Sequence, residues 1–572
     1  MEIHPGGQHL SAQKDSLRLL RNSCRIIAIA LGAAGAWATR STMFPDGVSY
    51  LDLGDAFWRG DWHNAISLYW SPLYPCILGL FIKVFRPSIS GEFPLVHLAN
   101  FLIYVIALFC FEFFLKTFVD QQATSEDPER ALPTWTWLVA GYSAFVISSL
   151  FLITISFVSG DMLVAAIIFF ASGLILKIQH GDATWRTFAF LGVVLGIGYL
   201  SKTVMFLMAL PFIAVAAATQ SGRERKLRSA AISLAFFLLV CAPLVVLLSS
   251  NKRKPTFGES GKINYLMNVG TTQFFIPEEA DASHPVRKFA AIPEAYEYSY
   301  PISGTYPLWF DPAYWHEGIA PRFSFWRQVR TLLLSIAQCA WISFNLRMGL
   351  AISVIILFLY LVGDSIRQNV RRAASFWFLW FPAVAGITLY SLVVIEPRYV
   401  AALFCILWLV ALSGVRLPKS VSKWLVTAAM LALAGSTLIG AGWQISHPLE
   451  TTAVAAQNIA TPVCADVAQA LRAEGIKPGD KIAVISEWLF PSRQAAYIAR
   501  LVRTRIIGEA RPKFFWPAQP EIRTSLLAEF AHAGARAVLT RNPPNVETGW
   551  KRLADTDYYV YFLPLSQEEH KP

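Results

Sequence analysis

Charge is scarce in this chain. Asp, Glu, Lys and Arg make up only 15% of its 572 residues, against about a quarter in an ordinary soluble protein. With 55% hydrophobic residues and a mean hydropathy of +0.45, that shortage excludes a soluble globular chain. The net charge of +11 does not point to nucleic acid. The basic residues lie in short loops between apolar runs, which is the positive-inside pattern of a membrane protein. The seven cysteines are scattered, and Cys110, Cys241 and Cys405 fall inside apolar runs. No CxxC or other metal spacing occurs, and there is no disulfide framework. No GxGxxG follows a strand, so no dinucleotide site is read. Internal repeats, low-complexity segments and a cleavable-signal pattern are also missing. No cofactor is expected, and no motif supports a divalent metal.

What is there is a succession of apolar runs, several near the roughly 20 residues that cross a bilayer as a helix. The expected fold is a polytopic α-helical membrane protein of about 11 transmembrane helices with a C-terminal extracytoplasmic α/β domain. Residues 1–25 carry Lys14, Arg18, Arg21 and Arg25 and are placed in the cytoplasm. The transmembrane domain is expected over 26–445, with external loops 45–93 and 250–345. The runs 134–153 and 161–178 pinch around residues 156–161. Residues 187–218 are too long for one span and break at Ser201 and Lys202. A short apolar segment, 72–85, reads as interfacial or re-entrant. Basic clusters at 223–228, 367–372 and 416–423 mark the inside, and an odd number of spans puts the C-terminus outside. Residues 456–572 alternate helix and strand, with helices at 462–474, 492–502 and 520–533. The strands are 481–486, 505–507, 535–540 and 558–562. That order predicts a parallel sheet.

Candidate chemistry begins at 45–75, PDGVSYLDLGDAFWRGDWHNAISLYWSPLYP. Ser49, Asp52, Asp55 and Arg59 recur at spacings of three to four, which predicts a short interfacial helix with its carboxylates towards water. Charged side chains at membrane depth are expensive and so suggest function. Outer turns supply Asp46, Asp161, Lys202, and Glu396 with Arg398. Bundled helices would bring these turns to one outer cavity. The plain alternatives are helix ends in interfacial water, an N-cap at Asp46 and a structural Glu396–Arg398 pair. The loop 250–345 holds TFGESGKINY, ISGTYPLWFDPAYWHEG and, between them, His284, Arg287 and Lys288. Aromatics beside acids suit sugar-binding surfaces and membrane-interface belts alike. His284 and His316 match no standard metal spacing, and the loop's length suggests a partly mobile cover.

A resemblance rests on Asp46, Tyr50, Gly60-Asp61-Trp62 and Ser71-Pro72-Leu73-Tyr74-Pro75, in that order. Asp161 opening a run, Lys202 after Gly-Tyr-Leu-Ser, and Arg398-Tyr399 before a late run extend it. The pattern resembles the C-type (GT-C) membrane glycosyltransferases, in particular protein O-mannosyltransferases and aminoarabinose–lipid A transferases. The family usually has a second acid beside the first-loop Asp; Gly47 stands there in this chain. The resemblance implies an integral protein of a bacterial inner membrane. It implies transfer of a sugar from a polyprenyl-phosphate donor to an outer acceptor hydroxyl on a lipid, glycan or protein, with inversion. Asp46 would be the base. Arg398 and Lys202, with Arg287 and Lys288 behind them, would hold the donor phosphate. Glu396, Tyr399, Asp161 and Tyr50 would support them. The resemblance does not explain the long loop in detail; from the loop's own residues Asp311, Trp315 and Glu317, with His284, are expected to border the acceptor path, and the plain alternative for His284, Arg287 and Lys288 is a solvated basic patch touching lipid headgroups. The partners implied are the donor, the acceptor and membrane lipids. A transporter or flippase of lipid-linked sugars is the competing class, although its usual repeated halves and midplane charges are not seen in the sequence. A non-enzymatic assembly protein is a third.

Overall fold

The structure is a computed structural model that describes residues 5–123, 130–270, 283–284, 286–298, 302–418, 421–447, 462–486, 493–544 and 548–564. The first half holds α1 (Pro5–Ala38), α2 (Pro45–Arg59), α3 (Trp62–Ala65), α4 (Leu73–Phe85), α5 (Glu92–Ala123), α6 (Thr134–Val146) and α7 (Asp161–Gln179). Then come α8 (Trp185–Ser201), α9 (Met205–Ala218), α10 (Arg223–Lys252) and α11 (Ser260–Asn268). After the strands β1 (Arg287–Lys288) and β2 (Ala295–Glu297) follow α12 (Pro307–Phe310), α13 (Pro312–Trp315), α14 (Phe325–Phe344) and α15 (Leu350–Val362). The bundle closes with α16 (Ile366–Ser375), α17 (Trp377–Ser391), α18 (Pro397–Ser413) and α19 (Lys423–Ser446).

Among the described residues six helical segments are long and apolar enough to cross a membrane: Lys14–Ala38, Ile89–Gln122, Thr134–Ile153, Asp161–Gln179, Arg223–Lys252 and Lys423–Ser446. The pair α16 and α17, bent by 85°, would make a seventh, and α4, α8, α9, α15 and α18 are shorter apolar helices. The boundaries follow the sequence closely, except that α1 stops at Ala38 and the chain turns before α2. Inside the bundle Phe111 packs on Phe145 and Phe169, with ring centroids 5.1 and 5.2 Å apart. Leu239 and Val246 of α10 and Ile439 of α19 point outward, as lipid-facing residues do. The end of α6 runs on as a π-helical turn, Ile147–Ile153. The Gln444 amide of α19 caps its Leu150 carbonyl at 2.7 Å, which satisfies a group that a π-turn would leave bare. The helices α2 and α4 cross with backbones touching. A Cβ on Gly54 would stand 2.5 Å from the Pro75 carbonyl oxygen, so only a small residue permits the approach.

The remaining elements form an α/β layer: α20 (Pro462–Ala473), β3 (Lys481–Ile485), α21 (Arg493–Val502), β4 (Arg505–Ala510), α22 (Pro512–Phe515), α23 (Pro520–His532), β5 (Ala537–Arg541), β6 (Trp550–Arg552) and β7 (Tyr558–Phe562). The sheet order is β1-β2-β4-β3-β5-β7-β6. Among the described strands β4, β3 and β5 are mutually parallel and the other pairings are antiparallel. The parallel sheet expected from the helix–strand alternation is thus the centre alone. Helical crossovers through α21 and α23 join those three strands, while β6 and β7 return without one. The loop 250–345 is corrected too. Its β1–β2 hairpin extends the sheet alongside β4, and the Ile506 amide donates to the Thr305 carbonyl at 2.9 Å. That part of the loop is a structural element of the α/β layer, not a cover.

Candidate active site

Pro45 opens α2, where its fixed φ suits the first helical position. The helix is capped by Phe44 without a side-chain bond, so Asp46 is not the N-cap. It lies in the first turn, where the helix dipole favours a negative charge. One turn on, the ring of Tyr50 meets Trp70 and Tyr74 edge-on, with centroids 4.9 and 5.0 Å away. Burial and the nearby Asp46 and Asp161 charges push the Tyr50 hydroxyl well above its ordinary pKa, so it stays a neutral donor.

The second part of the site comes from three chain turns. Asp161 is the first residue of α7 and is 4% exposed. A Cβ on the preceding Gly160 would lie 2.9 Å from the Ser201 carbonyl oxygen at the end of α8. The glycine therefore lets this turn lie directly on the residue before Lys202. Ser159 Oγ donates to Asp161 Oδ2 at 2.8 Å, and the Lys202 ammonium donates to Oδ1. Arg398, in the first turn of α18, sits with Nη1 3.6 Å from Asp161 Oδ2. Its Nε donates to Glu396 Oε2 and its Nη2 to the Tyr399 hydroxyl, each at 3.3 Å. The Lys202 ammonium lies 3.6 Å from the Tyr399 ring centroid, and Arg398 covers Phe157 at 4.8 Å. Asn100 fixes the Phe157 turn by donating to the Ile155 and Phe157 carbonyls at 3.3 Å.

These groups open onto one cavity of about 780 Å³. Asp46, Tyr50, Asp161, Lys202, Arg398 and Tyr399 all line it. Ser260, Lys262, Asn264 and Tyr265 of α11 add a polar wall, and Asn264 donates to the Tyr69 hydroxyl at 3.3 Å. Leu207, Leu392 and Phe323 line the apolar flank and are exposed at the surface. One carboxylate fixes two cations at the cavity wall, and their remaining N–H donors can take an anion. The apolar flank beside it suits a hydrocarbon tail. Among the described residues no group of three His, Cys, Asp or Glu has a metal-binding arrangement.

The sequence matches no protein-family model and no curated protein. In three dimensions the chain is similar to ArnT from Cupriavidus metallidurans bound to undecaprenyl phosphate. That likeness has a TM-score of 0.51 and 13% identity, covering 94% of this chain and 97% of that one. The apo state of the same protein matches at a TM-score of 0.52 and 12% identity, covering 96% and 98%. The chain has the GT-C fold.

Other candidates lie elsewhere in that GT-C fold. Glu396 contacts the site through Arg398 at 3.3 Å. Arg287 and Lys288 form the edge strand β1, where Arg287 is mostly exposed and pairs with Glu297 at 2.8 Å. Strand pairing holds them outside the residues that line the cavity. The acceptor-path group is not in that wall either. Asp311 caps α13, accepting from the Ala313 and Tyr314 amides at 3.1 Å. The Trp315 indole donates to the Pro307 carbonyl at 3.0 Å. Glu317 takes Lys252 at 2.9 Å and His284 at 3.0 Å. These side chains are spent on folding the loop behind Trp70, whose indole donates to the Phe310 carbonyl at 3.1 Å.

The structure also shows a cluster that sequence reasoning missed. Arg500 of α21, 2% exposed, reaches three carboxylates of the first external loop. Its Nε donates to Glu92 Oε1 at 2.7 Å, and its Nη1 lies 2.8 Å from both Asp52 Oδ1 and Asp55 Oδ2. Asp52 also accepts from the Thr305 amide and hydroxyl at 2.7 and 2.9 Å. The expectation that Asp52 and Asp55 face water is therefore wrong, because Arg500 covers them. Burial raises the Asp52 pKa, against the pull of Arg500 and Thr305. No local signal ties Arg500 to residues more than 400 positions away; its one mark is a lone cation on the apolar face of α21.

Proposed function

We propose that the chain is a membrane glycosyltransferase that moves a sugar from a polyprenyl-phosphate donor to an acceptor hydroxyl at the outer surface. The observation that carries this is the Lys202–Asp161–Arg398 arrangement in a cavity that also holds Asp46 and has an apolar flank. The GT-C fold, and the undecaprenyl phosphate named for ArnT, support the same class of donor.

The acceptor hydroxyl gives its proton to the Asp46 carboxylate as its oxygen bonds to the anomeric carbon. The bond from that carbon to the phosphate oxygen breaks, and its electron pair leaves with the phosphate. Lys202 and Arg398 neutralise the charge that develops there. A single displacement inverts the anomeric centre. The polyprenyl chain runs along Leu207, Leu392 and Phe323, and the acceptor enters past Lys262, Asn264 and Tyr265. Tyr50, Tyr399 and Glu396 hold the reacting groups in place.

The topology that goes with this reading has eleven spans: the six long helices, the bent pair, and α8, α9, α15 and α18. It puts the N-terminus in the cytoplasm of a bacterial inner membrane and the α/β layer outside. Cysteines placed at Gly479 and Gly222 test it: an impermeant label applied from outside reaches the first and misses the second, and the reverse result overturns the orientation.

Purified full-length protein given a panel of polyprenyl-phosphate sugars tests the activity. The expected result is glycosylated acceptor with an equal amount of released polyprenyl phosphate. Passage of an uncleaved donor across a vesicle membrane would make the protein a flippase instead.

A further inference from the structure

A second cavity, of about 510 Å³, lies at the far end of α1, α5 and α6. From Glu92, at the active-site end of α5, to Glu112 is twenty residues, or roughly 30 Å of helix. That is about the thickness of a bilayer's hydrocarbon core, so the topology proposed above puts this cavity at the headgroup level of the opposite leaflet.

Its charge is one-sided. Lys14, Arg18, Arg21, Arg25 and Lys116 line it, against Glu112 and Asp120. Arg25 is neutralised within the wall, with Nε and Nη2 donating to Glu112 at 2.8 and 2.6 Å and the Tyr142 hydroxyl joining at 2.5 Å. Arg21 is different. Its Nε is buried and has no hydrogen-bond partner among the described residues. A buried guanidinium N–H left unsatisfied is costly and calls for an acceptor. Phe109, Phe113 and Leu138 supply apolar wall beside the cations.

We infer that this cavity binds the phosphate headgroup of an anionic glycerophospholipid, with Arg21 and Lys116 on the phosphate and the acyl chains against Phe109 and Leu138. Basic pockets between membrane helices favour such headgroups. The apolar wall selects a lipid over free phosphate, which has no chains to bury.

Native mass spectrometry of the full-length protein, titrated with phosphatidylglycerol and separately with phosphatidylcholine, tests this. Phosphatidylglycerol is expected to stay bound preferentially, and Arg21→Gln with Lys116→Gln to weaken it by roughly fivefold for each cation removed. Arg21→Lys should retain most of the preference. Lys116 is exposed, so Lys116→Gln alone keeps the test open if the double variant does not fold. Millimolar inorganic phosphate should not displace the lipid. Equal retention of the two lipids, or variants that bind as the native protein does, would overturn the inference. Displacement by phosphate would overturn the lipid assignment in favour of a soluble anion.

Discussion

Arg398 and Asp161 meet at 3.6 Å, on the same carboxylate that takes the Lys202 ammonium. One buried acid thus fixes two cations from α18 and the end of α8, offsetting the cost of burying them. Held in advance, they would stand beside a leaving phosphate as its charge develops. The guanidinium has five N–H donors, more than its contacts with Glu396 and Tyr399 use.

Arg398→Lys keeps the charge and loses the fork. The apparent donor KM should rise by about tenfold, the worth of one charge-assisted hydrogen bond. Donor titrations of the two proteins settle it; superimposable curves would leave Arg398 a structural residue of its turn.

Asp46→Asn keeps the shape and loses the basicity. On the order of a 10²- to 10⁴-fold fall in kcat is expected, the usual worth of a positioned base. The melting temperature should hardly move, because a first-turn charge is worth about 0.3–1 kcal/mol. Near-normal turnover by the Asn variant would show that another group takes the proton.

Arg500→Ala would strand Asp52, Asp55 and Glu92 without their cation. Breaking a buried ion pair from one side costs about 3–5 kcal/mol, so thermal unfolding in detergent should come markedly earlier, with the α/β layer released to protease first. An unchanged melting curve would show that the other contacts between the layers, such as Phe93 on Tyr497, carry the stability.

The bundle was legible because each span is a local run of apolar residues with its own charged ends; even the break at Lys202 and the pinch before Asp161 were visible. The convergence of Asp46, Asp161, Lys202 and Arg398 was legible only as a conditional, since it depends on how helices pack. Gly160 on Ser201 makes that contact, and a glycine in a turn does not announce its neighbour. The position of Arg287, Lys288, Asp311 and Glu317 outside the cavity wall was hidden for a related reason. Charged and aromatic residues in a long loop look alike whether they face a ligand or fold the loop. Arg500 with Asp52, and the β2–β4 pairing, join residues hundreds of positions apart, and no periodicity encodes such contacts.

Burial raises the Asp311 carboxyl to about 6, against the pull of the Ala313 and Tyr314 amides. Lys252 lowers it slightly and Glu317 raises it. A raised acid favours the folded state while protonated. That contribution is full below an ordinary carboxyl pKa near 4 and is lost as pH rises through about 6. Asp311→Asn keeps an acceptor for the cap and cannot ionise. Relative to the native protein it should gain stability between about pH 4 and 7, by at most about 3 kcal/mol, read as a difference in melting temperature. Parallel pH profiles for the two proteins would contradict this.

A density map of the full-length protein in lipid nanodiscs with polyprenyl phosphate is the direct test of the donor site. Phosphate density is expected in the cavity beside Asp46, its oxygens about 2.7–2.9 Å from Lys202 Nζ and the Arg398 fork, with the chain leaving past Leu207 and Leu392. A well-resolved lipid phosphate held elsewhere, with Lys202 and Arg398 still closed on Asp161, would contradict it.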